Sequence, residues 1–226
     1  MTLQGQYTKL SANDKIRLGV IGVGIMGHNN IKTALKVEGT ELIAVCDLYE
    51  GRLERIQKLY GKQVVTTFDY QEILARQDID AVIIATPDHW HDRISIEALQ
   101  AGKHVYCEKP MVHKIAEGRA VIEAEKANGK VFMVGSQRVS SVVDEKEYAN
   151  VKEEDLRTST KELVAPEGSD AHLAHFIHFF NAIRSNGKVV EDASFGLRAC
   201  APALASNKSI YEKKVVEWNP ETMELK

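Results

Sequence analysis

A glycine-rich loop in the pattern G-x-G-x-x-G directly follows an apolar segment near the amino terminus. Gly22, Gly24 and Gly27 occupy the three glycine positions after the segment IRLGVI, residues 16–21. The first glycine permits a tight turn, the second lets a pyrophosphate approach the backbone, and the third lets the next helix pack closely on the strand. The free N–H groups at the start of that helix would attract phosphate. The pattern therefore predicts a dinucleotide site.

A second apolar segment, residues 41–46, ends in Asp47, which lies 20 residues after Gly27. A carboxylate at the end of the second strand can accept hydrogen bonds from both hydroxyls of a ribose. Because the same charge would repel a 2′-phosphate, the pattern favours NAD over NADP. The alternative is an ordinary strand, turn and helix followed by a chance acidic residue, since glycines cluster in many turns.

Two more loops place polar side chains directly after predicted strands. The segment AVIIA runs into residues 86–91 (TPDHWH), and HVYC runs into residues 108–110 (EKP). Ligands of an open α/β sheet bind beyond the carboxyl ends of its strands, so both loops are expected at one site, where Lys109 could act on a hydroxyl or carbonyl group. The alternatives are a surface lysine, two exposed histidines, or a metal pair at His89 and His91 for which the sequence offers no third ligand.

Strands and helices alternate through the first two thirds of the chain, which predicts an α/β fold with a doubly wound parallel sheet. Asp69 is expected to cap a short helix with Glu72 as its capping partner, and Asp88 is expected to cap the helix that ends at Gln100. The predicted strands are residues 16–22, 41–46, 64–66, 80–86, 104–108 and 130–135, and the longer helices are residues 25–37, 51–60, 88–100 and 114–128.

The last third of the chain has a different pattern. Residues 139–169 are polar and predict a linker, whereas 170–186 and 192–207 predict helices, the second capped by Asp192. An apolar stripe on the first helix is expected to dock on the rest of the protein, and a short strand is expected in the tail near Trp218. The stripe consists of Leu173, Phe176, Ile177, Phe180 and Ile183. Opposite it, His172, His175 and His178 predict a solvated polar face rather than a metal site or a catalytic histidine.

Composition narrows the class of protein. The chain has 226 residues and a formal net charge of −3, which gives no reason to expect nucleic acid. No apolar run is long enough to span a membrane, and residues 1–14 read as a flexible arm without a leader. We therefore expect a cytoplasmic protein, or a periplasmic one if an export leader has been removed. Cys46, Cys107 and Cys200 fit neither a disulfide framework nor a zinc site, and the first two are expected to be buried thiols.

The order of these motifs resembles the Gfo/Idh/MocA family of oxidoreductases, named after glucose–fructose oxidoreductase and inositol dehydrogenase. The glycine loop, Asp47, Thr86-Pro87, Glu108-Lys109-Pro110 and the segment GSQR at 135–138 all follow predicted strands. The stretch CEKPMVHKIAEGRAVIEAEKANGKVFMVGSQR at 107–138 carries the strongest similarity, and residues 172–220 are similar to the C-terminal helices that family members fold back on the nucleotide domain.

The resemblance implies a site. Residues 15–138 would form a Rossmann domain that binds NAD, and residues 170–226 would complete it. Lys109 would be the catalytic residue, hydrogen-bonded to a hydroxyl of a sugar or polyol beside the nicotinamide, and no metal would be needed. The candidate cofactor-binding residues are Gly22, Gly24, Ile25, Met26, Gly27, Asp47, Thr86, Pro87, His89, His91, Glu108 and Lys109.

The chain also departs from the family pattern. Members carry a large antiparallel sheet domain and an Asp-x-x-x-His pair where this chain has only residues 139–169. The comparison implies an internally shortened member, natural or engineered, with reduced or no turnover. The alternative is a dinucleotide-binding or interaction module without catalysis. Because a lost domain uncovers apolar surface, we also expect a homo-oligomer, most simply a twofold dimer.

Overall fold

The computed structural model describes residues 15–137, residue 139 and residues 170–225. Within them, six parallel strands form one sheet in the order β3-β2-β1-β4-β5-β6, which confirms the predicted doubly wound α/β fold. The strands are β1 Ile16–Ile21, β2 Thr40–Cys46, β3 Val65–Thr67, β4 Ala81–Ile84, β5 His104–Glu108 and β6 Phe132–Gly135. The helices are α1 Ile25–Ala34, α2 Glu50–Tyr60, α3 Tyr70–Ala75, α4 His91–Gln100, α5 Ile115–Asn128, α6 Ala171–Ser185 and α7 Ala193–Glu212. The predicted arm, and the predicted linker apart from Val139, lie outside the described residues.

Helices cover both faces of the sheet because its central strands are apolar on both sides. Side chains from α1, α2 and α6 pack with Val20 and Ile83 on one face. Side chains from α3, α4, α5 and α7 pack with Ile84 and Val105 on the other face. The strand order reverses between β1 and β4, so the loops that follow these two strands lie side by side at one edge of the sheet. In open sheets of this kind, that edge is the usual place for a ligand.

Two predicted helix caps are confirmed. The Asp69 carboxylate accepts a hydrogen bond from the backbone N–H of Gln71 at the start of α3. The Asp192 carboxylate accepts one from Phe195 N–H at the start of α7. Each carboxylate satisfies a donor that the helix itself leaves unpaired.

Two other capping predictions are wrong. Glu72 does not return to the backbone of Asp69, because its carboxylate accepts a hydrogen bond from the Thr67 hydroxyl at 2.7 Å. Asp88 does not cap α4, because a 3₁₀ turn at Asp88–Trp90 separates it from that helix. The Asp88 carboxylate instead contacts Nδ1 of His113 at 3.2 Å. A neighbouring hydroxyl therefore replaced the predicted partner of Glu72, and a contact with a distant segment replaced that of Asp88.

The docking stripe on α6 is confirmed at its centre. Phe176 and Phe180 are fully buried, and Ile183 packs against the same cluster while partly exposed. Phe179, which the predicted stripe omits, is also fully buried. The rings of Phe176 and Tyr106 are stacked with centroids 4.6 Å apart, so α6 is anchored directly on β5.

The prediction that three histidines form a solvated face of α6 is wrong. His175 is fully buried, and its Nε2–H donates to the Val134 carbonyl of β6 at 2.9 Å. His172 is partly buried and contacts two residues of α1. The physical reason is that α6 lies against both β6 and α1, so the buried arc of this helix is wider than its apolar stripe.

The C-terminal segment continues beyond the predicted helix. α7 extends to Glu212 rather than 207, and the tail forms a two-stranded antiparallel hairpin of β7 Trp218–Asn219 and β8 Glu224–Leu225. Cys46 and Cys107 are buried free thiols, as expected from the sequence. In the part of the chain that the structure describes, no helix is long and apolar enough to cross a bilayer.

Candidate functional site

The glycine loop makes a sharp turn between β1 and α1. Gly22 has a φ of +86°, and a Cβ at this position would lie 2.6 Å from the carbonyl oxygen of Ala85. A Cβ at Gly27 would collide with the carbonyl oxygen of Gly22, so only glycine lets α1 approach the strand this closely. The loop is thus compact and brings the start of α1 to the carboxyl edge of the sheet.

The first turn of α1 has the features of an anion site. Gly24 is the N-cap residue and provides no side chain to the N–H groups of the helix, and no acidic residue lies in the first turn. Unpaired N–H groups and the positive end of the helix dipole favour a negatively charged ligand. Ile25 is 88% exposed at the start of this helix, where a bound ligand could cover it.

Asp47 lies at the end of β2 beside this loop. One carboxylate oxygen accepts a hydrogen bond from Val23 N–H of the glycine loop at 2.9 Å, and the other accepts one from Tyr49 N–H at 3.0 Å. The side chain is only 6% exposed, and Nη1 of Arg52 lies 3.2 Å from it. The carboxylate is therefore fixed in place, with the half-exposed Arg52 guanidinium as its solvent-side partner.

A pocket of about 310 Å³ opens between the loops that follow β1, β4 and β5. Its wall contains a polar atom without a partner: Thr86 Oγ1 is buried and makes no hydrogen bond to any described residue. Buried hydroxyl groups in folded proteins nearly always have a partner, so this one is suited to a polar group of a ligand. The lining residues are Met26, Ala85, Thr86, Asp88, His91, Glu108 and Lys109.

Glu108 lies beneath the exposed Lys109 in this pocket. Its carboxylate accepts hydrogen bonds from the side-chain amides of Asn30 and Gln137, each at 2.9 Å, and from the backbone N–H of Lys109 at 3.3 Å. Burial raises the pKa of Glu108 above its ordinary value, although these donors oppose the shift. Glu108 is thus a fixed support, and Lys109 is the group on this loop that is free to meet a ligand.

The C-terminal helix α6 reaches this site through one bridging amide. Nε2 of His172 lies 2.8 Å from Oδ1 of Asn30, whose amide nitrogen in turn donates to Glu108. An amide oxygen only accepts, so His172 must donate from Nε2. Nδ1 then accepts from the Thr33 hydroxyl at 3.3 Å, and burial lowers the pKa of His172, which keeps the ring neutral.

The two histidines of the 86–91 loop have different surroundings. The His89 side chain is 59% exposed and free to contact a ligand. His91 is buried, and its two ring nitrogens lie 2.7 Å and 2.8 Å from the carbonyl oxygens of Pro110 and Thr86. The alternative given by the sequence, that both histidines are exposed, is therefore wrong for His91. Its ring nitrogens are occupied by protein groups, so it forms part of the pocket wall without a nitrogen to offer a cofactor.

The structure brings the candidate residues to one edge of the sheet. Five of them line the pocket, namely Met26, Thr86, His91, Glu108 and Lys109. Gly22, Gly24, Ile25, Gly27 and Asp47 form the adjoining glycine loop and its neighbour, and Pro87 and His89 are exposed in the loop after Thr86.

Sequence reasoning missed four residues of the site: Asn30, Arg52, Gln137 and His172. Asn30 lies three residues after Gly27 on the inner face of α1. A polar residue at a buried helical position could have indicated a site residue. Gln137 belongs to a segment that follows a predicted strand. Nothing in the sequence near His172 indicates that it would meet Asn30, because that contact joins residues 142 apart.

These features fit a dinucleotide better than a metal. The compact glycine turn, the uncapped start of α1 and the Asp47 carboxylate suit a pyrophosphate and a ribose. The unpartnered Thr86 hydroxyl suits a polar group at the other end of the dinucleotide. Among the described residues, no cluster of three histidine, cysteine or acidic side chains could hold a metal ion.

Comparison with known proteins agrees with this reading. Residues 16–136 match the sequence model of an oxidoreductase family, GFO_IDH_MocA, with an NAD-binding Rossmann fold. The chain is 34% identical over 125 residues to inositol 2-dehydrogenase of Salmonella typhimurium, covering 54% of this chain and 37% of that enzyme. It is 35% identical over 129 residues to a glycosyl hydrolase family 109 protein of Shewanella baltica, covering 54% of this chain and 28% of that protein.

A solved structure shows the same similarity. The WlbA dehydrogenase of Chromobacterium violaceum, in complex with NADH and UDP-GlcNAcA, matches with a TM-score of 0.53 and 30% identity, covering 57% of this chain and 37% of that one. The chain thus matches less than two fifths of the length of each of these three relatives.

Proposed function

Because this chain belongs to the Gfo/Idh/MocA oxidoreductase family and carries its NAD-binding Rossmann fold, we propose that it binds NAD(H) across the carboxyl edge of the sheet. The pyrophosphate would lie against the glycine loop and the first turn of α1. The adenosine ribose would meet Asp47, and the nicotinamide half would enter the pocket beside Thr86 and Lys109. When bound, the cofactor supplies a hydride acceptor or donor.

The observation that carries this proposal is the unpartnered hydroxyl of Thr86. It is buried in the wall of the pocket, directly after β4, where dinucleotides bind in sheets of this topology. A buried hydroxyl left unpaired destabilises the folded protein by about 1–3 kcal/mol, so a ligand group that pairs with it would recover that free energy.

Calorimetric titration with NAD⁺ and NADH tests the proposal. We expect Thr86→Val to weaken binding about tenfold, because the isosteric side chain removes only the hydroxyl. Ser95→Ala is the matched control, since Ser95 Oγ is also buried and unpartnered among the described residues but does not line the pocket. Equal affinity for the unmodified chain and Thr86→Val, or no binding at all, contradicts the proposal.

The proposed substrate class is a sugar or polyol. Lys109 is exposed in the pocket, where it can hydrogen-bond a substrate hydroxyl and, as the amine, take up its proton when the carbon is oxidised. Glu108 and its amide donors hold the Lys109 backbone in position. The names of the relatives support the class, since inositol, a sugar nucleotide and a glycoside are all polyhydroxylated.

We propose further that turnover is reduced or absent in this chain. The match covers less than two fifths of the relatives, and the described residues supply only the nucleotide side of the pocket. The alternative function is a dinucleotide-binding or interaction module without catalysis. A screen of sugars and polyols for NADH formation separates the two, and cofactor binding without any product favours the module.

A further inference from the structure

His91 joins the two loops that form the far side of the pocket. It is the first residue of α4 and is only 2% exposed. Its Nδ1 lies 2.7 Å from the carbonyl oxygen of Pro110, which follows Lys109, and its Nε2 lies 2.8 Å from the carbonyl oxygen of Thr86. One imidazole ring therefore spans the loop after β4 and the loop after β5.

Each ring nitrogen lies against a carbonyl oxygen, which can only accept hydrogen bonds, and the Cys107 side chain also contacts the ring. A neutral imidazole has one N–H donor and one nitrogen lone pair, so it would satisfy one carbonyl and direct its lone pair at the other. Two short contacts to two acceptors require that both nitrogens carry protons. The geometry thus identifies the buried ring as an imidazolium cation.

The charges around His91 are consistent with that state. Burial by itself lowers the pKa of His91, but the Cys107 side chain of β5 and the two carbonyl groups outweigh it and raise the pKa to about 9. Asp88 in the 3₁₀ turn also senses this charge, although its lowered pKa owes most to His113. Glu108 and Lys109 line the same pocket from β5.

The sheet itself does not fix the separation of these two loops. Pairing between β4 and β5 ends at Ile84 and Cys107, before either Thr86 or Pro110. A second side-chain link, His113 to Asp88, joins the same loops, but both of its side chains are at least 40% exposed. Charge-assisted hydrogen bonds in a buried site are stronger than such an exposed pair.

We propose that His91 is a positively charged clamp, a positioning residue that holds the Thr86 hydroxyl and Lys109 at the separation that a bound nicotinamide requires. The clamp is complete while both nitrogens are protonated. Loss of one proton leaves a carbonyl without its donor, and the two loops then separate more easily. Cofactor affinity is therefore coupled to the charge of a residue that does not offer the cofactor a nitrogen.

The first test concerns the free protein and does not depend on cofactor. Long-range ¹H–¹⁵N NMR correlations, assigned through the backbone, report the protonation of each histidine nitrogen. We expect both nitrogens of His91 to be protonated at neutral pH and to remain so until the pH approaches about 9. A single protonated nitrogen at neutral pH overturns the clamp.

The second test rests on the proposed function, because it measures NADH affinity against pH. We expect His91→Gln to bind about tenfold more weakly than the unmodified chain at neutral pH, since one charged donor is lost. The fall in affinity of the unmodified chain above pH 9 should be absent from the variant.

His178→Gln is the matched control, because His178 lies on α6 and does not line the pocket. We expect it to reproduce the affinity and the pH profile of the unmodified chain. Wild-type affinity and profile in His91→Gln would overturn the positioning role. If the unmodified chain binds neither form of the cofactor, the proposed function fails, and the NMR result alone decides whether the clamp exists.

Discussion

Asp47 and Arg52 form an ion pair at the end of β2, with Nη1 of Arg52 lying 3.3 Å and 3.2 Å from the two carboxylate oxygens. Asp47 is buried and held by backbone N–H groups, whereas the Arg52 side chain is 52% exposed and can turn away. The carboxylate can therefore accept hydrogen bonds from a ribose once the guanidinium moves. The same guanidinium lies where it could meet a 2′-phosphate.

This pair leads to a prediction about cofactor preference. The unmodified chain should bind NAD(H) more tightly than NADP(H), because the fixed carboxylate repels a 2′-phosphate. Asp47→Ala should weaken NAD(H) binding by about 1–3 kcal/mol, the loss of a charge-assisted hydrogen bond. The same substitution should also reduce the preference for NAD(H) over NADP(H), because Arg52 is released from its ion pair and can contact the 2′-phosphate. Calorimetry with NAD(H) and NADP(H) measures both affinities. The double variant Asp47→Ala/Arg52→Ala should bind NADP(H) more weakly than Asp47→Ala does, because it lacks the guanidinium.

Lys109→Ala should lower turnover far more than it lowers cofactor affinity. Any turnover found in the substrate screen should fall by about 10²–10⁴-fold, the usual contribution of a positioned proton-transfer group. NADH affinity should change little, because Glu108 and its donors remain in place. Lys188→Ala is the matched control, since Lys188 is exposed in the loop after α6. Turnover that survives in Lys109→Ala would refute the assignment.

Phe176 should be essential to stability. The side chain is fully buried and stacked on Tyr106 with ring centroids 4.6 Å apart. Phe176→Ala should lower the free energy of unfolding by about 3–5 kcal/mol because it leaves a cavity between α6 and the sheet. Denaturant titration measures the loss. Leu48→Ala should change stability by less than about 0.5 kcal/mol, since Leu48 is 84% exposed.

His175 should make the protein sensitive to acid. Burial lowers the pKa of His175 to about 4, opposed by the buried Glu191 carboxylate 3.6 Å from its Nδ1, whereas an unfolded histidine titrates near pH 6.5. The unfolded chain therefore takes up the proton first as pH falls. The contribution of neutral His175 to the free energy of unfolding is fully present above about pH 6.5. It is lost as the pH falls towards 4, by at most about 3 kcal/mol.

Thermal or denaturant unfolding across this pH range gives the measurement. His175→Gln should make the free energy of unfolding less dependent on pH, because glutamine cannot take up the proton. An unchanged pH dependence in His175→Gln would show that other groups cause the acid sensitivity.

The chain should associate into a homo-oligomer, most simply a twofold dimer. Three large apolar side chains near the end of α7 are 70% to 86% exposed: Ile210, Tyr211 and Val215. Apolar surface of this kind commonly forms an interface between copies. Light scattering at micromolar concentration should show a dimer, and Ile210→Glu should shift it towards the monomer. A monomer at all concentrations contradicts the expectation.

The sequence predicted the sheet well because the signals involved are local. Apolar strand segments, glycines after helices and the caps at Asp69 and Asp192 each depend on neighbours a few residues away. The position of the glycine loop beside the other strand ends then followed from the topology, since parallel strands end at one edge of the sheet.

The missed features depend on contacts between distant segments. His175 was assigned to solvent because three-residue spacing places it beside His172 and His178, yet a carbonyl of β6 satisfies its donor inside the core. Asp88 was expected to cap α4 but meets His113, which lies 25 residues later. A buried polar residue needs a partner, and helical periodicity does not reveal where that partner lies.

The stacking of Phe176 on Tyr106 also sets the order in which the chain can fold as it is made. The ribosome adds Phe176 seventy residues after Tyr106, which takes about 4–14 seconds at ordinary rates of synthesis. During that interval, first β5 and then β6 are completed, while the face of each that α6 covers is still open. The core around β5 is therefore completed by a helix made much later, and Tyr106 gains its stacking partner only after α6 has left the ribosome.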